Sequence, residues 1–252
     1  MSHIFDALNK QKGTSGPRPT PAGPLSPAAS SSAPLPDLID PIRDREFEAL
    51  RQRLLLELGS DHSPTVVFTG SVPGEGATTL ALHFARGLAE TDRGPVLLAD
   101  SDFGRHPGSL TGALERSGDP RPGLGEFLAG QVDLTTAVVG TEHPLLHFLP
   151  CGRLPGQPLE LLRPESLQRA VREMGRHYSF VVFDAAPPLT AAETGMLAAG
   201  TDGVVLVVRA NRVRREIAQR AVHLMTKARC RLLGVVLNDR RYPIPGFLYR
   251  RI

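Results

Sequence analysis

Short apolar runs alternating with helix-length segments constrain this chain more than any other feature. Thr65–Thr69 reads Thr-Val-Val-Phe-Thr, Val96–Ala99 reads Val-Leu-Leu-Ala, and Phe180–Phe183 reads Phe-Val-Val-Phe. Gly203–Val208 and Leu232–Leu237 continue the series, with Leu145–Leu149 as a weaker member. None of these runs alternates polar with apolar residues, so each describes a strand buried on both faces. Between them lie stretches long enough for a crossover helix, such as Thr78–Glu90. Buried strands joined by helices describe an α/β protein with a mostly parallel sheet and helices on both faces. A further helical pattern precedes the first strand, with Phe47, Leu50, Leu54 and Leu58 at helical spacing.

In such a sheet, ligands bind beyond the carboxyl ends of the strands. The polar residues of interest fall at those ends. The first strand runs into Ser71-Val72-Pro73-Gly74-Glu75-Gly76-Ala77-Thr78-Thr79, a glycine-rich turn that opens a helix. Glycines there bring backbone N–H groups close to phosphates, and a helix N-terminus favours an anion. The phosphate-loop pattern is G-x-x-x-x-G-K-[ST]. Gly76 and Thr78 match its second glycine and its hydroxyl residue, Ser71 replaces its first glycine, and Ala77 stands where its lysine belongs. Gly74, Glu75, Gly76, Ala77, Thr78 and Thr79 are therefore the expected nucleotide-binding residues. The second strand ends at Asp100-Ser101-Asp102, and the Phe-Val-Val-Phe strand ends at Asp184. A carboxylate at the end of an apolar strand is the Walker B arrangement for Mg²⁺. Thr78, Asp100 and Asp184 are the expected metal residues, and Asp100, Asp102 and Asp184 the expected catalytic ones. Asn238 ends the last strand and offers an amide to a base edge. The fold expected is thus P-loop NTPase-like, with ATP or ADP and Mg²⁺ as cofactors, their binding weakened by Ala77.

The rest of the chain divides by composition. Residues 1–12 form an amphipathic helical pattern with Ile4, Phe5 and Leu8 on one face. Residues 13–40 are a Pro-, Ser- and Ala-rich linker that lacks the apolar content to fold. Residues 41–240 are the P-loop domain, and 241–252 a basic tail carrying Tyr242 and Tyr249. A net charge of +3 over 252 residues does not point to nucleic acid. The two cysteines, Cys151 and Cys230, fit a reducing cytosol. No apolar run reaches the ~18 residues of a membrane span, so a membrane role requires a partner.

Several motifs in order resemble the bacterial tyrosine autokinases (BY-kinases) of capsule and exopolysaccharide synthesis. They are Pro73-Gly74-Glu75-Gly76, Leu97-Leu98-Ala99-Asp100-Ser101-Asp102-Phe103, Gly123-Leu124-Gly125-Glu126-Phe127-Leu128-Ala129-Gly130-Gln131 and Leu149-Pro150-Cys151-Gly152. Pro158-Leu159-Glu160-Leu161-Leu162, Val182-Phe183-Asp184 and Gly234-Val235-Val236-Leu237-Asn238 complete the set. The resemblance implies Mg·ATP binding, phosphorylation of a C-terminal tyrosine cluster, and assembly with a membrane chain-length-determinant or polysaccharide co-polymerase protein. It also implies a cytoplasmic protein, peripheral at the inner membrane through that partner, and homo-oligomers. By position it makes Thr78, Asp100, Asp102 and Asp184 metal and catalytic residues and Asn238 the adenine contact.

The chain departs from the family pattern at Ala77, in its two separated tail tyrosines, and at Gly104. It also departs at Arg45, Glu48 and Arg51, where two charges of the family's oligomerisation motif are exchanged. These departures describe a regulatory protein with weak or absent kinase activity. The retained carboxylates describe the alternative, an active tyrosine autokinase or ATPase, with Arg105 as a substitute cation. A partition-type ATPase fits less well, because both lysines of that loop are missing.

Overall fold

A computed structural model describes residues 44–59, 62–91, 93–104, 109–115, 121–153 and 162–239, without the side chains of 44–46 and 113–115. The expected N-terminal helix, the linker, Arg105, residues 158–161 and the tail with Tyr242 and Tyr249 lie outside the described residues.

Seven strands form one sheet in the order β3-β4-β2-β5-β1-β6-β7. They are β1 (Thr65–Gly70), β2 (Val96–Asp100), β3 (Val139–Gly140), β4 (Leu146–Leu149), β5 (Phe180–Ala185), β6 (Gly203–Arg209) and β7 (Leu232–Asn238). All pairings are parallel except β3 with β4. The expected strands are all present, within a residue or two at their ends. Among the described residues only the two-residue edge strand β3 adds to them, and it is too short to leave a pattern in the sequence.

The helices are α1 (Asp44–Leu58), α2 (Ala77–Ala89), α3 (Leu110–Glu115), α4 (Leu124–Leu128), α5 (Leu134–Ala137), α6 (Pro164–His177), α7 (Ala192–Ala199) and α8 (Arg215–Lys227). Strand residues alternate between two cores, as the pleat requires. Val66, Phe68, Leu98, Val182 and Val205 face one core, with Leu54 of α1 and Leu82 and Phe84 of α2. Val67, Leu97, Ala99, Val181 and Phe183 face the other, with Leu167 and Met174 of α6 and Leu197 of α7. Burial on both faces explains why β1, β2, β5 and β6 read as continuous apolar runs. The expectation fails at the edge strand β7, where Val235 and Leu237 are each 52% exposed because, among the described residues, no further strand covers it.

On α1, Leu54 and Leu58 are buried while Leu56 is 84% exposed, which fixes the inward face. Arg51 pairs with Glu48 and donates to the carbonyl of Gly87 on α2, tying the two helices together. Among the described residues, no helix is long and apolar enough to cross a membrane.

The strand order positions the site. From β1 the chain passes over β5 to reach β2, and from β5 it passes over β1 to reach β6. The path reverses at β1 and β5, and their carboxyl ends open the crevice where open α/β sheets take ligands.

Candidate phosphate-binding site

Gly70, Val72, Pro73, Gly74, Glu75, Gly76, Ala77 and Thr78 form one wall of a cleft at that crevice. Asp102, Ser109 and Asp184 to Pro187 form the other. Its volume of about 150 Å³ lies below the ~300 Å³ at which small-molecule pockets usually begin. The enclosed part therefore suits a phosphate chain rather than a whole nucleotide.

The loop holds its shape through two glycines in the left-handed region, Gly74 at φ 82° and Gly76 at φ 90°. Gly76 is also the N-cap of α2, and no side chain caps the helix there. The first intrahelical bond runs from Leu80 N to Gly76 O. Helix geometry therefore leaves the N–H groups of Gly76, Ala77, Thr78 and Thr79 without intrahelical acceptors. That is the arrangement by which a helix start receives an anion. Thr79 sits in this first turn but is not among the residues lining the cleft.

Glu75 turns inward and is only 2% exposed. Its Oε2 accepts hydrogen bonds from Ser71 N (2.5 Å), Ser71 Oγ (2.7 Å) and Val72 N (2.9 Å). Its Oε1 accepts one from Arg209 N at the end of β6 (3.0 Å). Asn238 lies behind the loop rather than in the cleft. Its Nδ2 donates to Glu75 O (2.8 Å), and its Oδ1 accepts from Asp239 N (2.9 Å). The amide expected to read a base edge is thus engaged with the loop backbone.

The opposite wall is acidic. The register places Asp100 of β2 beside Asp184 of β5. Asp184 is buried, and loss of water raises its carboxyl well above the ordinary carboxylate range. The neighbouring charges of Asp100 and Asp102 push the same way, while a hydrogen bond from Thr78 opposes them. Burial also raises Asp100, against hydrogen bonds from Thr111 and Asp102. Both Asp100 oxygens are occupied, Oδ1 by Asp102 N (2.9 Å) and Oδ2 by Thr111 N (2.8 Å). Asp100 therefore supports the cleft from below, whereas Asp102 and Asp184 line it.

Among the described residues, no three His, Cys, Asp or Glu side chains form a metal-holding group. Mg²⁺ does not need one, since it commonly takes one or two carboxylates and completes its shell with phosphate oxygens and water. The residues here fit such an ion. Asp184 is a buried carboxylate repelled by its neighbours and bonded to the Thr78 hydroxyl, and Thr78 stands beside the helix start that would receive phosphate.

Glu75 is expected in the nucleotide-binding loop, but its carboxylate is bonded to Ser71, Val72 and Arg209 within the protein. Two residues have no counterpart among the expected ones, Ser109 of the acidic wall and Thr111. Thr111 reaches Asp100 and also accepts from Cys151 N (2.7 Å). Nothing in their spacing marks them.

No protein-family model matches the chain. It is 26% identical over 192 residues to the tyrosine-protein kinase CpsD of Streptococcus agalactiae, covering 76% of this chain and 81% of that one. It is also 26% identical over 200 residues to the tyrosine-protein kinase YwqD of Bacillus subtilis, covering 79% and 82%. Among solved structures, the kinase domain of VpsO superposes with a TM-score of 0.63 at 29% identity, covering 79% of this chain and 98% of that one. Together with a parallel sheet that places a glycine-rich loop opposite a strand-end carboxylate, these likenesses make the chain similar in sequence and fold to the bacterial tyrosine kinases (BY-kinases).

Proposed function

We propose that this protein is a regulatory BY-kinase-like component of capsular or exopolysaccharide production, with weak or absent phosphotransfer. It works in the cytoplasm, held at the membrane by a chain-length-determinant or polysaccharide co-polymerase partner. One observation carries this reading. Among the described residues lining the cleft, the charged side chains are Glu75, Asp102 and Asp184, all acidic. The first helical residue, where the P-loop lysine would reach the phosphates, is Ala77.

Phosphoryl transfer depends almost wholly on positioning and on charge placed against the phosphates. Losing one such contact costs a factor of about 10²–10³ in rate. The N–H groups of Gly76 to Thr79 would still receive phosphate oxygens. Thr78 and Asp184 would hold Mg²⁺, which would supply the positive charge that the loop itself lacks. Binding of Mg·ATP or Mg·ADP is therefore retained in form and weakened in strength.

The second reading, a working tyrosine kinase, is favoured by the intact acidic wall. Asp100 is held by two backbone N–H groups, and Asp102 lines the cleft where an acceptor hydroxyl would give up its proton.

Calorimetric titration with Mg·ADP and Mg·ATP separates the two readings. The wild type should bind more weakly than Ala77→Lys, and Asp184→Asn should remove the gain. Micromolar binding by the wild type, with phosphate transfer to tyrosine, would overturn the regulatory reading.

A further inference from the structure

We infer that Glu75 is a positioning residue. It fastens the phosphate loop to the ends of β6 and β7 and couples the shape of the loop to the point where the chain leaves the sheet.

Glu75 is buried. A carboxylate taken out of water must be met by donors. Glu75 is met by four, three from the start of the loop at Ser71 and Val72 and one from Arg209 at the end of β6. One side chain thus closes the loop on itself and pins it to a neighbouring strand. The same residue is held a second time, through its carbonyl, by Asn238 of β7.

The two fastenings are joined behind the loop. Arg209 gives its backbone N–H to Glu75, and its side chain clasps Asp239 Oδ2 through Nε (3.0 Å) and Nη2 (2.9 Å). Asp239 gives its N–H to Asn238, and Ala210 N donates to Asn238 O (2.8 Å). Glu75, Arg209, Asp239 and Asn238 therefore close a ring of hydrogen bonds.

The ring has little slack. Any Cβ on Gly76 would stand 2.3 Å from Asn238 Nδ2. Asp239 itself holds φ 52°, the left-handed region that non-glycine residues rarely take without support. A loop fixed this way receives an anion without first being ordered, which spares the entropy that ordering costs. By reciprocity, an anion that tightens the loop also tightens residues 238 and 239. The assigned purpose, receiving phosphate, rests on the functional reading given above, whereas the fastening itself does not.

Hydrogen exchange tests the fastening without any ligand. Asn238→Ala touches neither Ser71 nor Val72, yet it should speed exchange of both amides at least tenfold. Glu75→Gln does not touch the Asp239 N–H, yet it should do the same there. Amides of β2 and β4 should keep their rates in both variants. If each variant speeds only the amides it contacts, or speeds the whole sheet equally, the coupling is refuted.

A second arm uses Mg·ADP on the Ala77→Lys chain. Adding Glu75→Gln should weaken binding at least tenfold and abolish ligand-induced protection at residues 236–239. Unchanged affinity would remove the positioning role even if the exchange result held. If Ala77→Lys binds no nucleotide at all, the functional reading fails, and the exchange arm alone decides the fastening.

Discussion

Two buried carboxylates belong to opposite walls of one cleft and are treated in opposite ways. Glu75 has four hydrogen-bond donors around it, and its charge is met within the protein. Asp184 has the hydroxyl of Thr78 as its named support and lies among Asp100 and Asp102, which repel it. The difference separates an anion that is part of the architecture from an anion that is left wanting a cation. Removing the first should damage the fold, whereas removing the second should damage only what the fold can bind.

The largest effect is expected at Glu75. Glu75→Ala strands the N–H groups of Ser71, Val72 and Arg209 in a buried setting. Each unmet buried donor costs about 1–3 kcal/mol, part of which water entering the new space recovers. A net loss of about 3–5 kcal/mol is expected, read by urea unfolding at neutral pH. A loss below about 1 kcal/mol would mean that the loop stands without its inner carboxylate, and the contrast with Asp184 would collapse.

Gly76→Ala sharpens the same contrast from the backbone side. Gly74 and Gly76 share the left-handed conformation, at φ 82° and 90°. A Cβ at Gly74 meets nothing within 4 Å, whereas one at Gly76 meets Asn238 Nδ2. Gly74→Ala should therefore cost only the backbone term, about 1–2 kcal/mol. Gly76→Ala should cost about 2–3 kcal/mol, and in an Asn238→Ala background the excess over Gly74→Ala should vanish. An excess that persists there would place the strain somewhere other than the Asn238 contact.

These residues also show how far the sequence could be read. The sheet was legible because every strand but β3 carries its own signal, as in Phe-Val-Val-Phe at Phe180–Phe183, and the strand ends then located Gly76, Thr78, Asp102 and Asp184 around one crevice. What stayed hidden depends on partners distant in the chain. Glu75 meets Arg209 across 134 residues, and Asn238 meets Glu75 across 163. A loop glutamate and a strand-end asparagine look alike whether they face solvent, ligand or each other. Only the strand order, with β6 beside β1 and β7 beside β6, brings them together. The same holds for Asp100, whose place beneath the cleft depends on Thr111.

Asp184→Asn should show the smallest effect and the opposite sign. Asparagine keeps the shape and can still bond Thr78, but it carries no charge for Asp100 and Asp102 to repel. At pH 7 and without Mg²⁺ the variant should be more stable than wild type by about 1–2 kcal/mol, the usual scale when a strained functional group is relieved. The pH dependence gives the sharper test. A carboxyl raised on folding binds its proton more tightly in the folded state. The stability it contributes is full below its unfolded value, about 3.9, and is lost as pH rises through the folded value. Asp184 and Asp100 both shift in this direction, each chiefly because of burial. The contribution of these two groups to stability should therefore fall from about pH 4 upward, and the difference between Asp184→Asn and wild type should widen over the same range. Urea unfolding of both chains at several pH values measures that difference directly. A gap that stays constant with pH would mean that Asp184 carries the same charge in the folded and unfolded chains, and that it is as well satisfied as Glu75.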